Sequence, residues 1–313
     1  FFFKQKTAYE IRNCDWSSDV CSSDLFVNIV GKPNVGKSTL MNALLGQELS
    51  MVNAKAQTTR HRIKGILNNE NYQIVFSDTP GIMKPAYKLH HKMLAAVEET
   101  FTDADVVVYV TEVNDRKIDE ELKDKLTVLS VPLYVIINKI DTAEQSGVEE
   151  AIQFWKEALQ PKVILPISAL HHFSVDNIVT ELLKDIPEGP AYFDKDEDAV
   201  SDRNMRFFTA EIVRERILSL YQQEIPYSVE VVVTSYKEDE AIDRISVVIY
   251  CARETQKAIL IGHQGKAIKK LGMESRKKLE AVLEKQVFIE LTVKVADDWR
   301  DNDKMLKRFG YEI

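Results

Sequence analysis

Cysteine is nearly absent from this chain: there are three among 313 residues. Two of them, Cys14 and Cys21, fall in Phe1–Leu25, a stretch with neither helical nor strand periodicity and no signal-cleavage pattern. That stretch resembles translated sequencing-adapter read-through and is set aside from the fold as an unstructured leader. Native sequence is expected to resume near Leu25 or Phe26, with a few native N-terminal residues missing. Cys251 is left alone in an apolar run, so no internal disulfide is expected and no oxidising compartment is demanded. The six histidines stand at no metal-ligand spacing with cysteine or carboxylate, which leaves no zinc site to read. There is no G-x-S-x-G elbow, which removes the serine-hydrolase reading. No apolar run approaches the length of a bilayer span.

What is present is a soluble, globular balance, with 45% apolar and 29% charged residues. The length suits two ordinary domains. The formal net charge of −8 hides an asymmetry: from Arg203 onward the balance is +2, against −10 for the remainder. A polyanionic partner is therefore expected at the rear half.

Apolar strand candidates Phe26–Val30, Ile74–Ser77, Val106–Val110, Leu133–Ile137 and Val163–Ile167 alternate with helical patterns. The helices follow Lys37 and cover Leu89–Phe101, Asp119–Leu129, Gly147–Leu159 and Val175–Leu183. Near-continuous apolar strands between amphipathic helices predict an α/β domain, mostly a parallel sheet covered by helices on both faces, over 26–188. An extra strand, Lys64–Asn71, is expected to hairpin onto Tyr72–Ser77. A linker over 189–204 carries the charged run Asp194–Asp198. A second domain over 205–313 reads α-β-β-α-α-β-α: helix Met205–Tyr221, strands Ser228–Ser235 and Ile242–Cys251, and helices Gln256–Ile261 and Lys266–Leu283. Strand Val287–Val295 and helix Asp301–Phe309 complete it.

Gly31-Lys32-Pro33-Asn34-Val35-Gly36-Lys37-Ser38, followed by Thr39, fits G-x-x-x-x-G-K-[ST] between a strand and a helix. In that context the glycines let successive N–H groups face phosphates, and the helix N-terminus adds favourable charge. Lys37 can reach the β- and γ-phosphates, and the Ser38 hydroxyl can ligate Mg²⁺.

Four more segments sit at strand ends or in loops. Asp78-Thr79-Pro80-Gly81 closes one strand, with Asp78 able to hold a water on Mg²⁺ and the Gly81 N–H able to touch the γ-phosphate. Asn138-Lys139-Ile140-Asp141 closes another, and the Asp141 carboxylate can accept from the N1 and N2 donors of guanine, which adenine lacks. Ser168-Ala169-Leu170 suits backbone contact to guanine O6. Thr58 or Thr59 could supply a Mg²⁺ ligand that senses γ-phosphate. Together these point to GTP and GDP with Mg²⁺, with Lys37, Thr59 and Gly81 serving hydrolysis and Ser38, Thr59 and Asp78 the metal.

Ile261-Gly262-His263-Gln264-Gly265-Lys266-Ala267-Ile268 fits the G-x-x-G loop of a KH domain, whose glycines admit a nucleic-acid backbone. The following Lys266, Lys269, Lys270, Arg276, Lys277 and Lys278, opposed in that stretch by Glu274, suit single-stranded RNA. Ile259, Ile261, Ile268 and Leu271 either floor a base cleft or form core.

With Lys55-Ala56-Gln57-Thr58-Thr59-Arg60-His61-Arg62 added to these motifs, the chain resembles the bacterial Era-type GTPases over essentially all of 26–313. The resemblance implies a Ras-like P-loop GTPase domain joined to a type II KH domain. It further implies binding at the 3′ end of small-subunit rRNA through Gly262, His263, Gln264, Gly265, Lys266, Lys269 and Lys270, in 30S subunit maturation. A cytoplasmic monomer, with peripheral association at the inner membrane face and no DNA partner, goes with it. Ile82 stands where Ras-type enzymes carry a water-orienting glutamine, so slow intrinsic hydrolysis is expected, with K⁺ near the phosphates as another device and Asn34 either its ligand or a turn residue. Residues 82–95 are expected to be the second switch, with Lys84, Lys88, His90 and His91 solvated.

Overall fold

The computed structural model describes residues 22–55, 57–69, 71–186, 188–189 and 200–311. They divide into two compact units. The first comprises the chain up to Ser50, Thr59–Met83 and Leu94–Asp202; the second comprises Met51–Thr58, Lys84–Met93 and Arg203 onward.

In the first unit the apolar runs become strands because, buried on both faces, they need no alternation. The elements are β1 (Ser22–Gly31), α1 (Lys37–Leu45), β2 (Ile63–Asn68) and β3 (Tyr72–Asp78). Next come α2 (Lys88–Thr100), whose first residues belong to the second unit, β4 (Val106–Glu112), α3 (Glu120–Thr127) and β5 (Leu133–Asn138). Helix α4 (Gln145–Leu159), β6 (Val163–Pro166), α5 (Asp176–Leu182) and the two-residue β7 (Glu188–Gly189) follow. The strand order is β2-β3-β1-β4-β5-β6, with β7 against β1. The pairings are parallel except β2 on β3 and β7 on β1. Consequently the C-terminal ends of β1, β3, β5 and β6 open on one edge, where such sheets bind ligands. Val107, Tyr109, Val135 and Ile137 pack with Leu126, Trp155 and Leu159 beneath that edge.

The leader was expected to be unstructured through residue 25, yet β1 begins at Ser22, because β3 offers a backbone ladder from Tyr72 onward that β1 follows. Asp24 and Leu25 are buried there. Phe1–Cys21 lie outside the described residues. At the end of the linker expected over 189–204, Ile66 donates its N–H to the Val200 carbonyl oxygen at 3.0 Å, and Ser201 bridges Gly65. Asp194–Asp198 lie outside the described residues.

The second unit contains α6 (Met205–Leu220), β8 (Val229–Lys237), β9 (Ile242–Cys251), α7 (Glu254–Ile261), α8 (Lys266–Leu283), β10 (Gln286–Val295) and α9 (Asp303–Arg308). Asn204 caps α6, its side chain accepting from the Phe207 N–H at 3.0 Å. The sheet order is β10-β9-β8, with β9 antiparallel to β8 and parallel to β10. Period-two alternation along β9 builds a core on each face. Ile245, Val247, Ile249 and Cys251 pack with Val213, Ile217, Leu271 and Leu279 of α6 and α8. Val248 and Tyr250 pack with Trp299, Leu306 and Phe309, and with Leu89 and Met93. That apolar packing is why 84–93, expected in the first domain, belongs to the second unit. No helix among the described residues is long and apolar enough to cross a membrane.

Candidate functional site

The loop between β1 and α1 turns at Gly36, whose φ of 96° disfavours any side chain. A Cβ there would also collide with Asn138 Nδ2. The loop arches over Lys37, which is buried, and its Nζ donates to the carbonyl oxygens of Gly31 at 3.1 Å and Lys32 at 2.8 Å. Burial lowers its pKa from 10.5 to about 8, the nearby Asp78 carboxylate opposing that fall. An ammonium so desolvated is a strong anchor for phosphate oxygens. On the same edge Gly81 lies against Pro33, where a Cβ would stand 2.7 Å from Pro33 Cα. Ile82 donates its N–H to the Gly31 carbonyl oxygen at 3.0 Å, and Thr79 Oγ1 donates to that of Ile29 at 2.8 Å.

Three oxygens converge beneath the loop. Ser38 Oγ donates to Asp78 Oδ2 at 2.7 Å, Thr59 Oγ1 stands 3.0 Å from Ser38 Oγ, and Thr59 Oγ1 donates to Asp78 Oδ2 at 3.3 Å. Thr58 Oγ1 instead donates to the Lys55 carbonyl oxygen at 2.6 Å, so of the two threonines it is Thr59 that stands with Ser38 and Asp78. Asp78 is fully buried, its Oδ1 has no hydrogen-bond partner, and burial raises its pKa. A buried carboxylate with a free oxygen beside two hydroxyls is a hard-oxygen donor set that fits Mg²⁺.

The third loop group is held by Asn138, which is buried at the end of β5. Its Nδ2 donates to the Val35 carbonyl oxygen at 2.9 Å and its Oδ1 accepts from the Ala169 N–H at 3.0 Å. Lys139, in the left-handed region at φ 61°, donates through Nζ to the Asn34 carbonyl oxygen at 2.8 Å and pairs with Glu112 at 2.6 Å. Asp141 accepts from Ser168 Oγ, which holds its carboxyl below the usual range, and His171 Nε2 lies 3.9 Å away. Ile140 donates its N–H to the Ile167 carbonyl oxygen, and Leu170 is exposed. The loops at 31–38, 59, 78–82, 138–141 and 168–170 therefore belong to one edge.

In the second unit Gly262 has φ 73° and would place a Cβ 2.6 Å from that of Ala267, so glycine is required where α7 turns toward α8. His263, Gln264, Lys266, Lys269 and Lys270 are exposed. Two of the basic residues of α8 are partly neutralised: Lys278 pairs with Glu215 at 3.6 Å and Arg276 with Glu280 at 3.7 Å. Beside the loop runs a groove of ~360 Å³ between α8 and β10, lined by Ile268, Lys269, Met273, Arg276, Phe288 and Leu291. Sequence reading missed Met273, Phe288, Ile289 and Leu291. The available signal was a phenylalanine at 288 within an alternating strand, 53% exposed here, with the Arg244 guanidinium 5.8 Å from its ring centre. Leu271 is core and Ile268 lines the groove. His90, expected solvated, is buried and stacks on Tyr87 at 3.7 Å, because α2 turns that face inward with Leu89 and Met93.

The profile of the 50S ribosome-binding GTPase family matches residues 26–139, and that of the KH domain matches 224–300. GTPase Era of Ruminiclostridium cellulolyticum is 38% identical over 290 residues, covering 92% of this chain and 97% of the relative. GTPase Era of Clostridium botulinum strain Hall is 40% identical over the same shares. A crystal structure of Era in complex with MgGDPNP and nucleotides 1506–1542 of 16S ribosomal RNA superimposes with a TM-score of 0.88 at 37% identity. An Aquifex aeolicus Era variant bound to GDP and AlF4⁻ does so equally. Each covers 93% of this chain and is itself covered in full.

The parallel sheet with its phosphate-loop motif, followed by a KH domain, defines a Ras-like GTPase with an RNA-binding domain. The chain belongs to the Era family, and its activity is the hydrolysis of GTP to GDP and phosphate.

Proposed function

We propose that this chain acts in the cytoplasm as a small-subunit assembly factor. In this reading it holds the 3′ end of 16S rRNA on its KH groove and changes that hold with nucleotide state. The reading is supported by the cluster of Ser38, Thr59 and Asp78 oxygens beneath the phosphate loop and an exposed apolar-basic groove in one chain, together with the 16S segment bound in the similar Era crystal structure. Ser38, Thr59 and Asp78 would hold Mg²⁺, which supplies charge neutralisation beside the β- and γ-phosphates. Lys37 neutralises developing charge on the β–γ bridge oxygen, and the Gly81 N–H meets the γ-phosphate. Asp141, kept ionised by Ser168, accepts the two guanine donors. Ile82 offers no group to orient water, so unassisted turnover is slow. Asn34, left-handed at φ 64° in the phosphate loop, is the candidate K⁺ ligand.

The test is twofold. GTP turnover is measured with Mg²⁺ in K⁺ and in Na⁺ buffers, and binding of a single-stranded oligonucleotide of the rRNA 3′ end is measured in the GDP and GTP-analogue states. Mg²⁺-dependent hydrolysis, faster in K⁺, and RNA affinity that differs between states are expected. RNA affinity indifferent to the bound nucleotide would overturn the switching role.

A further inference from the structure

A guanidinium in the C-terminal part of the chain is committed to the backbone just before Thr59. Arg214, on α6, is 1% exposed. A buried guanidinium must place its N–H donors. Glu211, one turn earlier, takes Nε at 2.8 Å and Nη2 at 2.7 Å. The remaining reach goes to two consecutive carbonyl oxygens: Nη1 donates to that of Gln57 at 3.1 Å, and Nη2 to that of Thr58. A planar fork on two successive carbonyls restrains the peptide planes between them.

The segment so gripped is strained. Gln57 has φ 60°, a left-handed conformation that costs a side-chain-bearing residue free energy and persists only where its surroundings impose it. The Tyr87 hydroxyl also donates to Gln57 Oε1 at 3.3 Å. Lys55 Nζ adds a further anchor, donating to the carbonyl oxygens of Leu218 and Tyr221. The next residue along the chain is Thr59, whose hydroxyl stands with Ser38 and Asp78.

We infer that Arg214 is a positioning residue for the GTP-bound state: by fixing the carbonyls of Gln57 and Thr58 it sets the direction in which Thr59 presents its hydroxyl. This rests on the reading of Thr59 as a ligand in the Mg²⁺·GTP state. Arg214 itself touches neither nucleotide nor metal. GDP lacks the γ-phosphate that Thr59 is placed to sense, so loss of the clamp weakens the triphosphate state selectively.

The experiment compares the full-length chain with Arg214→Ala, Arg214→Lys and Thr59→Ala. It measures affinity for GDP and for a non-hydrolysable GTP analogue, and the Mg²⁺ concentration that half-saturates analogue binding. Arg214→Ala is expected to weaken the analogue about tenfold, the scale of one charge-assisted hydrogen bond, and to raise the Mg²⁺ midpoint, with GDP affinity within about twofold. Arg214→Lys keeps one charged donor and is expected to fall between. Should Arg214→Ala fail to fold, Arg214→Lys carries the test, its fold checked by undiminished binding of single-stranded RNA. If Thr59→Ala lowers the analogue-to-GDP preference and neither Arg214 variant does, the positioning role is overturned while the metal reading stands. If Thr59→Ala leaves that preference unchanged, the metal reading and the positioning role fall together.

Discussion

Asn138 Nδ2 donates to the Val35 carbonyl oxygen at 2.9 Å, fastening the guanine loop to the phosphate loop. Because Asn138 Oδ1 also takes the Ala169 N–H, one buried amide fixes three loops at once. Asn138→Ala removes both bonds and strands a buried carbonyl and a buried N–H, each costing about 1–3 kcal/mol. GDP affinity is expected to fall at least tenfold, with a lowered melting temperature. Asn138→Asp should be worse, since it sets an acceptor against the Val35 carbonyl oxygen. Calorimetric titration of GDP into both variants checks the order, and equal affinities would refute it.

The burial of Lys37 is expected to make nucleotide binding take up protons in alkaline solution. In the nucleotide-free fold its pKa is about 8, against 10.5 unburied. Between those values the unfolded chain keeps a proton that the folded one has lost, so the Lys37 contribution to stability grows with pH across that window and is lost as pH falls through about 8. Phosphate oxygens around the ammonium reverse the shift. Binding of GDP at about pH 8.5 should therefore take up a fraction of a proton, and at pH 7 almost none. Titrations in two buffers of different ionisation enthalpy measure the uptake. Proton release at the higher pH would contradict the assignment.

Asp141 stays ionised because the Ser168 hydroxyl donates to it, and an ionised carboxylate can only accept. Asp141→Asn replaces one acceptor oxygen with a donor. Guanine then meets donor against donor, whereas xanthine offers an oxygen in that place. GDP affinity should drop about a hundredfold, from the loss of one charge-assisted hydrogen bond and of the charge behind the other, and xanthosine diphosphate should become the better competitor. Unaltered selectivity in a competition assay would remove Asp141 from the base pocket.

The phosphate loop was readable because all its parts lie within Gly31–Ser38 and a strand and helix must flank it. The same holds for 78–81 and 138–141, where strand ends place the chemistry. The Thr58–Thr59 ambiguity was not resolvable in one dimension, since adjacent residues are separated only by which way each side chain turns. His90 was read as solvated because helix α2 alone has no fixed inside; Leu306 and Phe309, more than two hundred residues later, supply it. The Arg214 clamp joins residues 157 and 156 positions apart, a separation no local pattern reports. The groove was half legible: Gly262 to Lys270 announce it, but its other wall is β10, whose exposed side chains follow from the register of β10 on β9.

Phe288 gives that groove a stacking surface, and its role separates cleanly from that of the lysines. Its ring is half exposed on β10, so it adds little to the core, yet it lines the groove together with Met273 of α8. Stacking of a base on an aromatic ring is worth about 1–3 kcal/mol by alanine substitution. Phe288→Ala should therefore weaken a single-stranded RNA oligonucleotide about tenfold, with melting temperature and GDP affinity unchanged. Stacking releases no counterions, so the slope of log affinity against log salt should stay that of the parent. Lys269→Ala with Lys270→Ala should instead flatten that slope by about 0.7 for each phosphate no longer neutralised. Affinity measured at several salt concentrations distinguishes the two. A Phe288→Ala protein that binds RNA as tightly as the parent would move the bases out of this groove, whatever the lysines did.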